Sequence, residues 1–221
     1  MTFEVKGNQF IKDGKEIKII SGAVHYFRNM PDTWEDIFMK MKAMGCNCVE
    51  TYICWNLHEK KQGEFDFKDG LDFIRFLKTA QDLGLYAIVR PGPYICSEWE
   101  FGGLPWWIQA DDDMEIRCMS EEYINCFERY LDKLFEQIRP FLCTNGGPII
   151  MLQCENEYGY YGDDKEYLTY LKNGFINRGI DVPLFTSDGT SKEDLLDGTI
   201  EGCLSTVNFG SRVAENFKAH D

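Results

Sequence analysis

Pro148-Ile149-Ile150-Met151-Leu152-Gln153-Cys154-Glu155-Asn156-Glu157-Tyr158 sets an apolar run directly against a charged one. Residues 149–153 carry no charge and read as a strand buried on both faces. Such a strand belongs in a parallel sheet covered by helices. The pattern recurs outward in both directions. Strands are predicted at 19–24, 48–52, 86–90, 184–187 and 204–209. Between them, apolar residues at helical spacing predict helices at 34–44, 71–83, 120 to about 141, 165–178 and 191–196, with another beginning after 211. Gly45, Gly84 and Gly179 stand where helices stop, and Ser120 where one starts. Ahead of all this, Asp13-Gly14 between two short strand-like runs reads as a two-residue hairpin turn.

Strand–helix units in succession mean a parallel sheet with helices outside it. Two α/β folds compete, a doubly wound sheet and a TIM (β/α)8 barrel. The first usually carries a glycine-rich phosphate loop after its first strand. Here that place reads Ser21-Gly22-Ala23-Val24-His25-Tyr26, without G-x-G-x-x-G. A barrel spreads its chemistry over the C-terminal ends of several strands. The strand ends carry His25, Tyr52, the segment Arg90 to Glu100, Glu155-Asn156-Glu157 and Asp188, which favours the barrel.

The 221 residues are 44% hydrophobic and 14% aromatic, which excludes a disordered chain. A net charge of −14 argues against nucleic acid or an anionic membrane as partner, and leaves neutral sugars open. No apolar run is long enough for a membrane span, and the N-terminus lacks the layout of a signal peptide. Nine cysteines cannot all pair within one chain and show no C-x-x-C spacing. They read as free thiols of a reducing, cytoplasmic compartment, with no metal and no cofactor expected.

The 91–119 connection reads as structureless but is too rich in Trp99, Phe101, Trp106 and Trp107 for disorder. Those rings either pack the loop down or form a wall for a sugar. In a strand, Glu155 and Glu157 would face one way and Asn156 the other. A bend at the strand end lets Asn156 and Glu157 reach one pocket. A carboxylic acid there can protonate a leaving oxygen, and a second carboxylate can serve as nucleophile or base. Arg90 is free to pair with Glu50, Glu155 or Glu157. His25 and His58 either bind hydroxyls or are structural.

The segment 146–159, with Arg90-Pro91-Gly92-Pro93-Tyr94-Ile95-Cys96-Ser97-Glu98-Trp99, Thr51-Tyr52-Ile53-Cys54-Trp55-Asn56-Leu57-His58-Glu59 and Ser21-Gly22-Ala23-Val24-His25-Tyr26-Phe27-Arg28, closely resembles glycoside hydrolase family 35 β-galactosidases. The resemblance implies a barrel that removes terminal β-linked galactose, from an oligosaccharide or a glycoconjugate, with retention of configuration. It assigns Glu157 as general acid/base and Asn156 to the sugar 2-hydroxyl. Tyr52, Glu98 and the backbone of Ile95, Cys96 and Ser97 would hold the other hydroxyls. Ser97 is often Ala in relatives. Glu155 would be a barrel residue and not the acid.

The family's nucleophile is a second Glu near the end of a seventh strand. Six strands are read here, so that residue is expected beyond Asp221. Residues 1–221 then form one incomplete barrel domain, truncated after about six strands and inactive alone. Glu193, Glu201 and Glu215 have no matching context. A related barrel enzyme acting on β-glucosides or β-glucosaminides, and a sugar-binding module without catalysis, are the competing readings. A homo-oligomer stays open.

Overall fold

Six parallel strands form one curled sheet in strict sequence order: β4 (Ser21–Ala23), β5 (Cys48–Tyr52), β6 (Tyr86–Arg90), β7 (Ile149–Gln153), β8 (Leu184–Asp188) and β9 (Leu204–Val207). The computed structural model describes residues 1–110 and 114–220. Order without a reversal point is the topology of a (β/α)8 barrel and not of a doubly wound sheet. Ahead of it, β1 (Phe3–Lys6), β2 (Gln9–Lys12) and β3 (Lys15–Ile17) make a separate antiparallel sheet. Its Asp13-Gly14 turn has positive φ at both residues, as the tight hairpin turn requires. Phe3 and Val5 face Val182 and Leu184 across a groove at the N-terminal end of β8, the end away from the strand-end chemistry.

Helices α1 (Trp34–Ala43), α2 (Trp55–His58), α3 (Phe73–Asp82), α4 (Glu121–Ile138), α5 (Lys165–Asn177), α6 (Lys192–Gly198) and α7 (Val213–His220) alternate with the barrel strands. Side chains fix several starts. Asp72 accepts from Arg75 N at 2.8 Å and Asp164 from Tyr167 N at 2.9 Å, while Ser191 and Asp194 form a reciprocal capping box. Ser120 caps α4, as its sequence predicts. The helices bury one aromatic face on the sheet: Phe76 of α3, Phe127, Tyr130 and Phe135 of α4, and Tyr167 and Phe175 of α5 are all buried. Each such ring removes an area worth about 1.5–3 kcal/mol from water. That burial holds the strand ends at fixed spacing.

Two expectations are corrected. The strand predicted at 19–24 contracts to Ser21–Ala23 and is not buried, since Ile20 is 57% exposed. β4 is an edge of the sheet and has only β5 as a neighbour. The 91–119 connection is not structureless either. It contains short turns at Glu100–Gly103 and Trp106–Ala110, although its residues 111–113 lie outside the described residues. Trp107 Nε1 donates to Glu59 O at 2.9 Å and its ring meets Trp55 edge-on, while Trp106 Nε1 donates to Lys60 O. Trp99 meets Phe27 edge-on and donates to Asn56 Oδ1. Trp99 and Trp107 are half-buried and pack the loop, Trp106 is exposed, and none of the three lines the strand-end cavity.

Candidate active site

A cavity of about 470 Å³ lies beyond the C-terminal strand ends. Its lining comes from His25 after β4, Tyr52 at the end of β5 and Cys96-Ser97-Glu98 after β6. Asn156-Glu157 after β7 and Asn208-Phe209-Gly210 after β9 complete it. The fold thus brings together six of the seven residues singled out from the sequence. Ile95 is the exception: it is buried, its N–H is used by Gly102 O at 2.8 Å, and it does not line the cavity.

The 155–157 turn breaks strand alternation. Glu155 and Glu157 both have left-handed φ, +58° and +47°, so β7 ends abruptly. Asn156 and Glu157 both enter the cavity, while Glu155 turns away and is buried. Asn156 Oδ1 accepts from Arg90 Nη2 at 2.7 Å and from Gln153 Nε2 at 3.2 Å. Two donors on one oxygen fix the amide orientation and leave its NH2 for a ligand acceptor. Arg90 also holds Glu50 at 2.9 Å and bonds Gln153, and its guanidinium lies 4.1 Å from the Tyr52 ring centroid. It pairs with Glu50, not with Glu155 or Glu157. Glu157 N–H donates to Ser187 O at 2.9 Å, and Glu157 Oε1 accepts from Asn208 Nδ2 at 3.1 Å.

Glu155 has its own partner. Arg117 meets it through two nitrogens, at 3.2 and 2.7 Å, and both side chains are under 5% exposed. The same guanidinium donates to Asn156 O at 2.7 Å. Tyr167 OH donates to Glu155 Oε1 and Asn156 N–H to Glu155 Oε2. Burial works against the Arg117 charge, but Glu155 offsets it and raises the pKa of Arg117 overall.

Two groups of the cavity wall are neutral at neutral pH. Burial, joined by the Arg28 and Arg90 charges, pushes the His25 pKa down to about 4. Burial pushes Tyr52 up to about 12. His58 is apart from the cavity: its Nδ1 donates to Asp66 O at 2.7 Å, so its Nε2 accepts from Tyr26 OH at 2.6 Å. It is a structural histidine. Behind the turn, the buried Asp188 accepts from Gly159 N–H through Oδ1 at 3.2 Å. Burial raises the Asp188 carboxyl to about 6. Gly159 is required there, because a Cβ would stand 2.0 Å from Asp194 O of α6.

The wall at 96–98 is a tight left-handed turn. Cys96, Ser97 and Glu98 have φ of +56°, +56° and +43°, and Trp99 N–H closes the turn on Cys96 O at 3.0 Å. Arg28 holds it from outside through Ser97 O. The cavity therefore offers amide and phenol donors beside two carboxylate acceptors. That set suits a small ligand bearing several hydroxyls. Among the described residues, no three His, Cys, Asp or Glu gather as a metal site.

The family model of the glycosyl hydrolases family 35 matches residues 9–221. The chain belongs to this family. A beta-galactosidase of Xanthomonas manihotis is 43% identical over 97% of the chain and 36% of its own length. Beta-galactosidases of Felis catus and Homo sapiens are 43% and 42% identical, each over 92% of the chain and 31% and 30% of their lengths. The chain thus spans about a third of the length of the curated relatives it matches. Among solved structures, a GH5_18 protein of Streptomyces cattleya in complex with GlcNAc superposes with a TM-score of 0.60 over 80% of this chain and 47% of the other. At 11% identity that likeness concerns the fold alone.

Within this family 35 chain, residues in and around the site escaped the sequence reading. Asn208 was hidden inside a strand predicted to run to 209, whereas β9 stops at Val207. Reading one residue past each strand would have found it. Arg117 carried no local signal, since its partners come from a segment far along the chain.

Proposed function

We propose that the full-length protein is a retaining exo-β-galactosidase, which hydrolyses terminal non-reducing β-D-galactose residues by double displacement. One observation carries this reading: in a family 35 chain, Tyr52, Glu98, Asn156 and Glu157 converge on one strand-end cavity. Glu157 donates a proton to the departing glycosidic oxygen and later takes one from the attacking water. The Asn156 NH2 holds the 2-hydroxyl, a contact that tightens as positive charge grows at the anomeric carbon. Tyr52, Glu98 and the turn at Cys96 and Ser97 hold the remaining hydroxyls. The nucleophile is a second Glu belonging to a further strand. Glu193, Glu201 and Glu215 do not line the cavity, which supports leaving that role to a residue beyond Asp221. An odd count of nine cysteines without C-x-x-C spacing supports a reducing, cytoplasmic compartment.

The test is hydrolysis of an aryl β-galactoside by the full-length protein, followed by NMR of the first-formed sugar. The β anomer should appear first, and the matching β-glucoside should be cleaved far more slowly. First release of the α anomer would overturn retention. Equal cleavage of both substrates would overturn the galactose assignment.

A further inference from the structure

We infer that Arg117 is a positioning residue for the acid/base turn, latching the long 91–119 loop onto the backbone that aims Asn156 and Glu157. The inference rests on the reading of Glu157 as acid/base.

A buried arginine beside a buried glutamate has an ordinary explanation, namely mutual neutralisation. Three observations exceed it. First, the Arg117 guanidinium spends a donor on the carbonyl of Asn156, the peptide that leads directly into Glu157, at 2.7 Å. A neutralising pair has no need of that bond. Second, the latch is reciprocal: Tyr158 OH donates to Arg117 O at 2.9 Å and Tyr161 OH to Ile116 O at 2.9 Å. The segment after Glu157 therefore grips the loop as the loop grips the segment before it. Third, both sides hold strained backbone, with φ of +54° at Arg117, +58° at Glu155 and +47° at Glu157. Conformations of this kind persist where their surroundings over-determine them.

A cage of rings fixes the cation itself. The guanidinium carbon lies 4.0 Å from the Tyr94 ring centroid, 4.4 Å from Tyr161 and 5.3 Å from Tyr158. Tyr94 stands at the start of the same loop that supplies the cavity wall at 96–98. One loop thus provides the wall and, some twenty residues on, the latch. A planar fork is needed, because two donors go to Glu155 and one nitrogen also reaches Asn156 O.

The experiment uses the full-length protein. Arg117→Lys keeps the charge facing Glu155 but loses the fork. Arg117→Met with Glu155→Leu removes both charges together, so that no lone buried charge prevents folding. For both variants kcat on an aryl β-galactoside should fall about ten- to a hundredfold, with KM nearly unchanged, as about 1 Å of misplacement can produce. The dependence of rate on leaving-group basicity should steepen, because proton donation is what suffers. Hydrogen exchange should rise in the 155–161 segment while β7 stays protected. Wild-type kcat and leaving-group dependence in the folded double variant would overturn the latch, and so would unchanged exchange at 155–161. If the wild type cleaves no galactoside, the functional reading fails by itself. Exchange at 155–161 then decides the latch alone: raised, it stands; unchanged, it falls.

Discussion

Glu155 and Glu157 sit two residues apart on one turn, both in left-handed conformation, and meet opposite surroundings. Glu155 is enclosed, with one guanidinium spanning both carboxylate oxygens and a tyrosine hydroxyl on Oε1. Glu157 is half-buried, faces a cavity and accepts from one neutral amide. The comparison shows that a carboxylate with every lone pair engaged is structure, whereas one with spare capacity facing space is available for chemistry. Sequence proximity does not separate the two. The partner brought by a distant loop does.

The comparison can be broken most directly at Glu157. Glu157→Gln should lower turnover of substrates with poor leaving groups by about 10²–10⁴-fold while unfolding within about 1 kcal/mol of wild type. Added azide should restore the second step for activated aryl galactosides, and equal loss on all substrates without rescue would remove the assignment. Glu155→Ala should show the opposite pattern in denaturant unfolding. It strands Arg117 among tyrosines and should cost about 3–5 kcal/mol. A variant as stable as wild type would mean that the pair is not enclosed.

Glu98 sharpens the open side. On the proposed reading, a charged hydrogen bond from Glu98 to a galactose hydroxyl would be worth roughly 1.5–3 kcal/mol, so Glu98→Ala should weaken galactose binding about ten- to a hundredfold. Unchanged affinity in titration calorimetry would make Glu98 mere surface.

Asp188, a third carboxylate under the same turn, gives the smallest effect. Its folded pKa of about 6 lies above the ordinary 3.8. Its contribution to stability is therefore present below about pH 4 and is lost as pH rises through about 6. Asp188→Asn keeps the acceptor for Gly159 N–H and leaves no charge to bury there. The variant should gain on the order of 1 kcal/mol at neutral pH and lose the slope between pH 4 and 6. An unaltered slope in unfolding curves across that range would reject the buried acid.

Most of the frame was legible because period and punctuation agree locally. β5, β6 and β7 fall where uncharged or β-branched runs predict them, and the Ser120 cap needs only its own neighbours. The edges were less legible. Ile19 and Ile20 look buried in sequence, yet their environment is set by which strand neighbours β4. The cavity was readable as a set of strand ends, and the bend that turns Glu155 away from Glu157 follows from strand termination. What stayed hidden was every long-range pairing: Arg117 with Glu155, Asn208 with Glu157, Asp188 with Gly159. Each depends on the path of a loop, which periodicity does not encode.

The left-handed turn at Cys96, Ser97 and Glu98 has a practical consequence for anyone improving this protein in the laboratory. Each non-glycine residue held there costs roughly 1–2 kcal/mol against its relaxed form. Ser97 adds a buried hydroxyl without a partner among the described residues. A screen that rewards heat tolerance alone should therefore enrich Ser97→Gly, since glycine takes that φ freely and leaves no orphan oxygen. The same change frees the segment that carries Glu98, so the winners of such a screen should hold their ligand less well. At this turn durability and grip pull in opposite directions, and a selection scheme has to score both.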